Sequence, residues 1–493
     1  MTNDPRTNMT KLTPNASHSL AIQFAYPNDS VNHSPGQPAM LAQITNTIAQ
    51  LRGKIGDIVI EQETGDTIYR RLLVEAYSED HGTAIIEGLR SIPDLKIIRV
   101  RDRTMALHEG GKISVESRIP VKSQADLAMA YTPGVGRVCR AITQEPEKVF
   151  SLTIKGNTVA VVTDGSAVLG LGNLGAAGAL PVMEGKALLF KEFANVDAFP
   201  ICLDTQDTEE IITAVKQIAP VFGGINLEDI SAPRCFEIEQ RLRKELDIPV
   251  FHDDQHGTAI VVLAALINAL KLVEKPLGAV KIVINGAGAA GIAIGRLLKE
   301  AGAKPDKIIL CDSKGMVSSN RAHLTAEKQE FAVAESGSLA DALKQGDIFI
   351  GVSVPGIVTS EMVSSMQPNP IIMAMSNPIP EIQPELIAEQ VAVCATGRSD
   401  YPNQINNVLA FPGIFRGALN CRASVITSQM CLDAASAIAA LISPDELNPN
   451  YIIPSVFDSR VVTAVAEAVE KTAQQEGVTH NPCTDVPGNV SHD

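Results

Sequence analysis

Apolar and polar residues follow one another along the first hundred positions in patterns that predict six elements of secondary structure. Strict alternation is typical of a strand that is half-buried in a sheet, and apolar residues every three or four positions indicate a helix. Thr64–Asp66, between two alternating runs, is a hairpin turn signal. In chain order the predicted elements are the strand Ser19–Ala25, the helix Pro38–Leu51, the strands Asp57–Glu63 and Tyr69–Ala76, the helix Gly82–Leu89 and the strand Lys96–Arg101. This βαββαβ order is the split βαβ pattern of a ferredoxin-like sheet.

The rest of the chain has the pattern of two α/β domains followed by helices. A mixed α/β region leads to a second, clearer α/β unit that opens with the apolar strand Lys281–Asn285. Beyond Phe411, alanine-rich stretches such as Ala434–Ile442 predict a helical C-terminal lobe. The predicted boundaries are 1–16 for a disordered tail, 17–106 for the ferredoxin-like domain, 107–258 for the first α/β domain, 259–414 for a second α/β domain of Rossmann type, 415–475 for a helical lobe that packs on the first α/β domain, and 476–493 for a frayed tail.

Composition narrows the classes of function. The chain has 493 residues with a net charge of -15, no Trp and 4% aromatic residues. Few aromatic side chains argue against a base-stacking platform, and an acidic surface repels phosphate backbones and anionic membranes. We therefore expect no nucleic-acid partner and no membrane partner. Small anionic substrates remain compatible, because a bound metal reverses the local field in a cleft.

Cysteine usage and the N-terminus indicate a cytoplasmic protein. The eight Cys include no C-x-x-C pair and fall singly in apolar runs, as at Cys202, Cys311 and Cys394. Buried free thiols in a reducing compartment are the expected state. The first fifteen residues are polar, so no signal peptide is visible, and the longest apolar run, Ala259–Ile267, is too short to span a bilayer.

A glycine-rich turn in Lys281–Gly291 is the strongest local signal in the sequence. An apolar strand runs directly into G-x-G-x-x-G and then into a helical pattern, which favours a dinucleotide site with phosphates at the helix N-terminus. The following strand ends in Asp312, which is expected to accept a ribose hydroxyl. Its carboxylate favours NAD, whereas Lys314 favours the 2′-phosphate of NADP, so we lean to NAD and leave NADP open. The residues expected to contact the dinucleotide are Gly286, Ala287, Gly288, Ala289, Ala290, Gly291 and Asp312.

A second G-x-G-x-x-G is the weaker candidate for a dinucleotide site. Its glycines are Gly170, Gly172 and Gly175, and several residues separate them from the strand Val159–Val162. The segment that follows begins at Leu180-Pro181 instead of continuing directly as a helix. We interpret it as a tight active-site loop.

Two pairs of acidic residues predict a divalent metal site. Glu228–Asp229 is one pair and Asp253–Asp254 is the other. Carboxylates that converge on one point suit Mg²⁺ or Mn²⁺, which prefer oxygen ligands. The alternative is that these carboxylates are ordinary surface groups, which are common in a chain with this net charge. His252 and His256 have zinc spacing, but no thiolate or third His lies near them in the sequence, which disfavours zinc.

Lys186 and Tyr131 are candidate acid–base groups on weaker grounds. Lys186 precedes the apolar run Ala187–Phe190, and burial there would lower its pKa as a general base requires. Tyr131 lies in Ala130–Val135, which ends in a Pro-Gly turn. The alternative for both side chains is an ordinary exposed or packed position.

Together these segments resemble the malic enzymes of the shorter bacterial type, from about residue 107 to the C-terminal lobe. The resemblance implies oxidation and decarboxylation of malate to pyruvate and CO₂ with NAD or NADP and Mg²⁺ or Mn²⁺. The motifs that carry it are Ala130–Val135, Val182–Lys186, Phe251–Thr258, Ser376–Pro378 and Phe411–Gly413.

The resemblance also implies a role for each candidate residue. Lys186 corresponds to the general base that takes the C2 hydroxyl proton, and Tyr131 to the general acid that protonates the enol carbon. Asp253 has a supporting catalytic role beside the metal. The implied metal ligands are Glu228, Asp229 and Asp254, and the residues that hold substrate near the nicotinamide are Asn377 and Asn407.

One departure from the family pattern concerns the substrate's distal carboxylate. Larger members of the family have an Arg after the equivalent of Thr163–Gly165, where this chain has Ser166–Ala167. The residue that clamps this carboxylate is therefore unassigned.

Residues 17–106 resemble an ACT domain, through the βαββαβ order and through Ser34–Gly36 with Leu41. ACT domains often bind amino acids at pairwise interfaces, so the resemblance implies a small-molecule effector and a homodimer or homotetramer. The alternative is a dimerisation module without a ligand.

Three rival functions stay open at this point. A malolactic-type enzyme would keep the cofactor and release lactate. An amino-acid dehydrogenase would share two α/β lobes and a Lys but would need no metal, which the paired carboxylates disfavour. An amino-acid-sensing regulator built on the ACT-like segment would show no turnover.

Overall fold

The N-terminal unit is built on a four-stranded antiparallel sheet with the strand order β2-β3-β1-β4. The computed structural model describes residues 14–28, 39–64 and 66–480, and the chain divides into two units, Met1–Ser114 and Val115–Asp493. The strands are β1 (Asn15–Pro27), β2 (Lys54–Thr64), β3 (Thr67–Ala76) and β4 (Lys96–Asp102), and the helices are α1 (Met40–Gln50), α2 (Glu79–Arg90) and the short α3 (Arg103–His108). All six predicted elements are present, and the strand order is that of the ferredoxin-like fold. Gly65 and Ser34–Gly36, on which two sequence arguments rest, lie outside the described residues.

The core of the N-terminal unit lies between one face of the sheet and the two helices. Alternate residues of β1 and β3, such as Phe24 and Leu72, pack against apolar side chains of α1 and α2, such as Ile48 and Ile85. At Gly53 a Cβ atom would come within 2.8 Å of both Ile48 and Ile85, so this position needs glycine. The unit therefore has a hydrophobic core of its own, which is the property of a separately folding domain.

The first sheet of the second unit has four strands, in the order β6-β5-β7-β8, and all neighbouring pairs are parallel. Helices cover this sheet, and its strands are mostly apolar, as in other buried parallel sheets. Its strands are β5 (Thr158–Thr163), β6 (Asp197–Cys202), β7 (Gly224–Leu227) and β8 (Val250–His252); its helices, with those that precede it, are α4 (Gln124–Ala130), α5 (Val135–Gln144), α6 (Val149–Leu152), α7 (Gly175–Ala194), α8 (Thr208–Ile218) and α9 (Arg234–Glu245).

The second sheet of this unit has six strands in the order β11-β10-β9-β12-β13-β14. All pairs are parallel except that of β10 with the two-residue β11. Its elements are β9 (Ile282–Asn285), α11 (Ala289–Glu300), β10 (Ile308–Asp312), β11 (Gly315–Met316), α12 (Ala326–Gln329), α13 (Leu339–Leu343), β12 (Ile348–Gly351), α14 (Ser360–Ser364), β13 (Ile371–Ala374) and β14 (Val393–Thr396). The order with β9 between β10 and β12 is that of a Rossmann-type sheet, as predicted.

A buried helix, α10 (Thr258–Leu272), connects the two sheets. The C-terminal helices are α15 (Phe411–Asn420), α16 (Ser428–Ala440) and α17 (Arg460–Glu476). One of these three, α16, packs against α10, whereas α17 packs against α15 and α16. Asn268 of α10 donates from Nδ2 to the carbonyl oxygens of Ala439 and Ile452. The stretch Asp253–Leu272 is the one helical segment of the described residues that is long and apolar enough to cross a membrane, yet 72% of its window is buried inside the fold. That burial is expected of a central core helix.

The segment after the second glycine motif differs from the prediction. Gly170 and Gly172 lie in a loop with positive φ values of 75° and 88°, as a tight loop requires. Helix α7, however, begins directly at Gly175 and continues through Pro181 to Ala194. The expectation that Pro181 precludes an uninterrupted helix was wrong, because the packing of buried Met183 and Phe190 offsets the backbone hydrogen bond that proline cannot donate.

The cysteines within the described ranges are all free thiols, which agrees with the sequence. Cys235, Cys311, Cys421 and Cys431 are buried, whereas Cys202 and Cys394 are half-buried and Cys139 is exposed. The prediction of buried thiols is therefore correct for four of the seven.

We expect a fragment of residues 1–114 to fold by itself, because its core lies within its own sheet and helices. Phe24→Ala in this fragment should lower the free energy of unfolding by ~3–5 kcal/mol, the typical cost of emptying a buried aromatic site. Urea titration followed by circular dichroism gives the measurement. The matched control is Ile98→Ala, whose side chain is 50% exposed and which should change the free energy by less than about 0.5 kcal/mol. A fragment without a cooperative transition would contradict the domain division.

Candidate active site

Five carboxylates meet at the carboxyl edge of the first parallel sheet. Glu228 and Asp229 follow β7, Asp253 and Asp254 follow β8, and Asp164 follows β5. In a parallel sheet the carboxyl ends of all strands lie at one edge, which is why residues far apart in the sequence converge there. Asp254 Oδ2 accepts the backbone N–H of Asp229 at 2.9 Å and so joins the loops after β7 and β8.

Glu228, Asp229 and Asp254 form a set that suits a divalent cation. One carboxylate oxygen from each lies within 4.8 Å of the others. Asp229 Oδ2 is buried and has no hydrogen-bond partner among the described residues. Burial raises the pKa of all three carboxyls, and the charge of neighbouring acids raises it further. A hard cation with oxygen ligands would satisfy both the orphan oxygen and the crowded charge, so the donor set fits Mg²⁺ or Mn²⁺.

Lys186, from the middle of α7, is buried against this cluster. Its Nζ lies 2.5 Å from Asp253 Oδ2 and 3.1 Å from Glu228 Oε1, and 4.2 Å from the centre of the Phe411 ring. Asn407 also donates from Nδ2 to Asp253 Oδ2. The structure thus brings together the predicted base, its predicted supporting carboxylate, one predicted substrate residue and the three predicted metal ligands.

The charge state of Lys186 differs from the sequence expectation. Burial alone lowers its pKa, as predicted, but the charges of Asp253 and Glu228 outweigh burial and hold the pKa above its ordinary value. The expectation of a lowered pKa was wrong for the protein alone, because the sequence did not reveal the two carboxylates beside Nζ. A cation bound to Glu228 would offset part of this negative charge and so favour proton loss from Lys186.

A single turn of π-helix, Asp253–Gly257, sets the position of Asp253. Such turns occur frequently at functional sites. At Gly257 a Cβ atom would lie 1.9 Å from Asp253 Oδ1 and 3.3 Å from Asn407 Cβ. The absence of a side chain at residue 257 therefore leaves room for Oδ1 of the carboxylate whose other oxygen, Oδ2, contacts Lys186.

The loop after β5 also lies beside the carboxylates. Ala167 donates its backbone N–H to the Asp229 carbonyl oxygen at 3.0 Å, which supports the interpretation of this segment as an active-site loop. Arg234, which the sequence analysis did not single out, lies 2.9 Å from Asp164 Oδ2 and donates from Nη2 to Ser166 Oγ at 3.0 Å. Arg234 therefore lies next to the position where larger family members have Arg, but its guanidinium group already contacts Asp164 and Ser166.

The glycine-rich turn between β9 and α11 has the geometry of a dinucleotide site. Gly286 has a φ of 120°, and a Cβ there would lie 2.4 Å from the Val352 carbonyl oxygen. A Cβ at Gly291 would lie 1.7 Å from the Gly286 carbonyl oxygen, so helix and strand approach as closely as predicted. At Gly288 nothing lies within 4 Å, which leaves the backbone open to a phosphate at the N-terminus of α11. The residues fit an NAD(P) pyrophosphate.

Asp312 lies at the end of β10, as predicted, but its carboxylate is not free. Arg321 and Lys328 both donate to it. Two cations, which the sequence argument did not include, therefore offset the negative charge of Asp312 from which the repulsion of a 2′-phosphate was expected. Neither cation was identified from the sequence, since Arg321 follows Asp312 by 9 residues and Lys328 by 16.

Asn377 and Tyr131 lie outside the hydrogen-bonded cluster. Asn377 follows β13 and packs beside Gly397, where a Cβ would come within 2.9 Å of Asn377 Nδ2. Tyr131 follows α4, and its side chain is 67% exposed. In the described parts of the chain, no hydrogen bond joins either side chain to Lys186 or to the metal-binding carboxylates.

Glu381 is a buried acid that the sequence analysis missed. Its two carboxylate oxygens accept the backbone N–H groups of Ser353 at 2.9 Å and Ser376 at 3.0 Å, and Ser353 Oγ accepts Asn285 Nδ2 at 2.7 Å. The network ties together the loops after β9, β12 and β13, next to Gly286 and Asn377. An acidic residue at the end of the proline-rich segment Ser376–Glu381 was the available signal.

Comparisons with known proteins agree with this geometry. A model of the malic enzyme N-terminal domain matches residues 110–243, and a model of the malic enzyme NAD-binding domain matches residues 255–474. The NAD-dependent malic enzyme of Geobacillus stearothermophilus is 54% identical over 478 residues, which cover 96% of this chain and 98% of that protein. The bifunctional malic/malolactic enzyme of Bacillus subtilis is 55% identical over 388 residues, 77% of this chain and 94% of that protein.

A solved structure gives the same result for the fold. The crystal structure of the malic enzyme from Pyrococcus horikoshii superposes with a TM-score of 0.74 at 46% sequence identity, and the match covers 77% of this chain and 91% of that one. Lys186, Glu228, Asp229 and the glycine-rich turn lie within the residues matched by the two domain models, and Asp253 and Asp254 lie in the short stretch between the two matches. The chain belongs to the malic enzyme family.

Proposed function

We propose that this chain oxidises and decarboxylates malate to pyruvate and CO₂, with reduction of NAD or NADP and with Mg²⁺ or Mn²⁺ held by Glu228, Asp229 and Asp254. The observation that carries the proposal is the position of Lys186 Nζ, 2.5 Å from Asp253 and 3.1 Å from Glu228. A buried amine in contact with a metal ligand is placed to act on a substrate oxygen that approaches the same metal.

Each proposed catalytic residue has its own role in the reaction. When bound, the cation supplies Lewis-acid polarisation and the dinucleotide supplies the hydride acceptor. Lys186 takes the proton of the C2 hydroxyl, and Asp253 holds Nζ in place. Asn407, which donates to Asp253, and Asn377 orient the substrate beside the nicotinamide. After loss of CO₂, Tyr131 delivers a proton to C3. Separate base and acid groups are needed because the two proton transfers occur at different atoms.

Lactate is the product of the second candidate function. The Bacillus subtilis relative, a bifunctional malic/malolactic enzyme, is 55% identical over the residues that it matches. Initial rates with malate, Mn²⁺ and each cofactor separately, combined with analysis of pyruvate and lactate, test both functions. Formation of pyruvate with stoichiometric reduced cofactor is the expected result. Lactate without net cofactor reduction would favour the malolactic reaction, and no turnover in any combination would contradict both.

We propose that the enzyme works in the cytoplasm as a homodimer or homotetramer. The free thiols of the described residues support a reducing compartment. Exposed apolar side chains on one segment of the second unit support self-association, because monomers rarely leave so many uncovered. These side chains are Val115, Ile119, Val121, Leu127 and Met129, next to the exposed Tyr131.

We propose that residues 17–106 are an ACT-like regulatory domain, that 107–258 and 259–414 are the substrate and NAD(P)-binding domains, and that 415–475 is a helical lobe on the substrate domain. Most of the two predicted tails, 1–16 and 476–493, lies outside the described residues, whereas Asn15 already belongs to β1 and Thr479 forms a bridge with Ala423. The ferredoxin-like strand order supports the first assignment. Contact of α15 with α7 supports the last. A small-molecule effector, of which an amino acid is the class implied by the resemblance, would bind to the first domain.

Asp254→Asn should weaken Mn²⁺ binding and lower kcat/KM on the order of 10²-fold or more, because a neutral amide replaces a charged metal ligand. Electron paramagnetic resonance of free Mn²⁺ measures the binding, and circular dichroism checks the fold. Asp306→Asn, an exposed acid near the start of β10, is the matched control and should change neither quantity. Unchanged Mn²⁺ affinity in Asp254→Asn would contradict the metal assignment.

Lys186→Arg should keep the ion pairs with Asp253 and Glu228 but lower kcat by about 10²–10⁴-fold, because arginine cannot release a proton at neutral pH.

Tyr131→Phe should lower the exchange of the pyruvate methyl protons with solvent more than it lowers the hydride-transfer step. Nuclear magnetic resonance follows the exchange, and stopped-flow absorbance follows the reduced cofactor. If Tyr131→Phe leaves the exchange rate intact, Tyr131 is not the acid.

Removal of residues 1–114 should leave a folded enzyme that still oxidises malate, because the proposed catalytic residues all follow Ser114. The truncated enzyme should lose its effector response or change its oligomer size. Light scattering and kinetics across a panel of amino acids compare the two forms. Identical size and identical responses would contradict the regulatory assignment.

A further inference from the structure

Glu381 is a completely buried acid that has no role in the proposed mechanism. Its Oε1 accepts the backbone N–H of Ser353 at 2.9 Å, and its Oε2 accepts the backbone N–H of Ser376 at 3.0 Å. Ser353 Oγ also donates to Oε1, at 3.3 Å. All three groups donate to the carboxyl group, which favours its ionised form, because an ionised carboxylate accepts hydrogen bonds and cannot donate one.

The negative charge of Glu381 is not balanced by a positive charge of the protein. Within the described ranges of the chain, Glu381 forms no ion pair, and its hydrogen-bond donors are two neutral amides and a neutral hydroxyl. Burial raises the pKa of the carboxyl above its ordinary value, although the hydrogen bonds from Ser376 and Ser353 work to lower it. Because a buried charge without an opposite charge is costly, a cation that binds nearby would stabilise the ionised carboxylate.

Glu381 lies against the end of β12, in the second half of the Rossmann-type sheet. A Cβ atom at Gly351, the last residue of β12, would come within 2.4 Å of Glu381 Cδ. Ser376, its other partner, follows β13 and precedes Asn377. In this class of sheet each half binds one mononucleotide, and the dinucleotide lies across the crevice between the halves. The glycine-rich turn belongs to the first half, so the loops after β12 and β13 face the nicotinamide end of the cofactor.

Ser353 connects the carboxylate to the strand that leads into the glycine-rich turn. Ser353 Oγ accepts Asn285 Nδ2 at 2.7 Å, and Asn285 is the last residue of β9. The neighbouring Val352 carbonyl oxygen is so close to the turn that a Cβ atom at Gly286 would lie 2.4 Å from it. The charge of Glu381 therefore lies beside the crevice, in a buried environment where solvent screens it little.

We propose that Glu381 is a specificity-determining residue, whose buried charge makes the nicotinamide half of the site bind the oxidised cofactor in preference to the reduced one. The oxidised nicotinamide ring carries a positive charge, which is lost when the ring accepts a hydride. An unbalanced carboxylate attracts the charged ring and has no such attraction for the neutral one. The inference rests on the proposed dinucleotide function of the glycine-rich turn, and it implies weaker binding of the cofactor after hydride transfer than before it.

The alternative is that Glu381 only braces the loops after β9, β12 and β13. Removal of a brace would weaken the binding of both forms of the cofactor alike, because the loops would shift whatever the charge of the ring. Removal of a charge that acts on the ring would weaken the oxidised form alone. The ratio of the two dissociation constants therefore separates the two roles. ADP-ribose, which lacks the nicotinamide, reports on the rest of the site.

The experiment measures the affinities of the full chain for NAD, NADH and ADP-ribose, and for NADP and NADPH in parallel, by calorimetric titration. Saturating Mn²⁺ is present, so that the carboxylates of the proposed metal site are neutralised and do not attract the ring themselves. We expect the unmodified protein to bind the oxidised form more tightly. Glu381→Gln should weaken the oxidised form by roughly tenfold, the scale of one charge–charge interaction in a partly buried site, and should change NADH and ADP-ribose by less than about twofold.

Two further variants serve as controls, and circular dichroism checks the fold of each. Ser353→Ala keeps the charge of Glu381 but removes the hydroxyl between it and Asn285, so the ratio of oxidised to reduced affinity should stay unchanged. Glu389→Gln is the matched control, because Glu389 is an exposed acid on the segment between β13 and β14. It should change none of the affinities.

A ratio that Glu381→Gln leaves unchanged would overturn the inference and leave the dinucleotide site intact. Equal affinities of the unmodified protein for the oxidised and reduced forms would overturn it too. This second result needs no variant, so the inference can fail even if Glu381→Gln does not fold. Failure of the unmodified protein to bind any of these nucleotides would overturn the dinucleotide site as well.

Discussion

The ion pair of Lys186 with Asp253 and Glu228 is the interaction on which the candidate active site depends. Four carboxylates, from Glu228–Asp229 and Asp253–Asp254, crowd one edge of a sheet, and one ammonium group is in contact with two of them. Burying charge without full compensation costs several kcal/mol per ion, so this arrangement lowers the stability of the protein alone. A divalent cation would supply the missing positive charge. Metal binding and fold stability are therefore coupled through the same side chains.

The sequence predicts those parts of the fold that depend on local pattern. Alternation and turn residues were sufficient to predict the sheet of the first unit. An apolar strand before Gly286 was sufficient to predict the Rossmann-type turn. The proximity of Glu228–Asp229 to Asp253–Asp254 could also be predicted, because both pairs follow short apolar strands and parallel strands end at one edge of the sheet. Helix α7 was missed, because Pro181 weakens its local signal and its stability comes from buried side chains that the local pattern does not weigh.

Other features of the site depend on distances in space that no local pattern records. Lys186 and Asp253 are 67 residues apart, and their contact reverses the expected direction of the Lys186 pKa. Arg321 and Lys328, which donate to Asp312, follow it in the sequence by 9 and 16 residues. Glu381 is similar, since it accepts backbone donors from two loops that pattern alone does not bring together. In each case a charge is identifiable from the sequence, whereas its partner is identifiable only from the structure.

The π-helical turn at Asp253–Gly257 has a consequence for how this protein tolerates mutation. The Cβ atom of an alanine at residue 257 would lie 1.9 Å from Asp253 Oδ1, so this oxygen would have to move, together with the carboxylate that contacts Lys186 through Oδ2. Gly257→Ala is a change of one carbon atom that leaves each proposed catalytic side chain, each metal ligand and the dinucleotide turn in the sequence. A gene with this substitution would look intact to anyone who inspects the active-site residues. We expect the protein that it encodes to hold Asp253 in a changed position beside Lys186, so Gly257 belongs among the functional residues although it has no functional group.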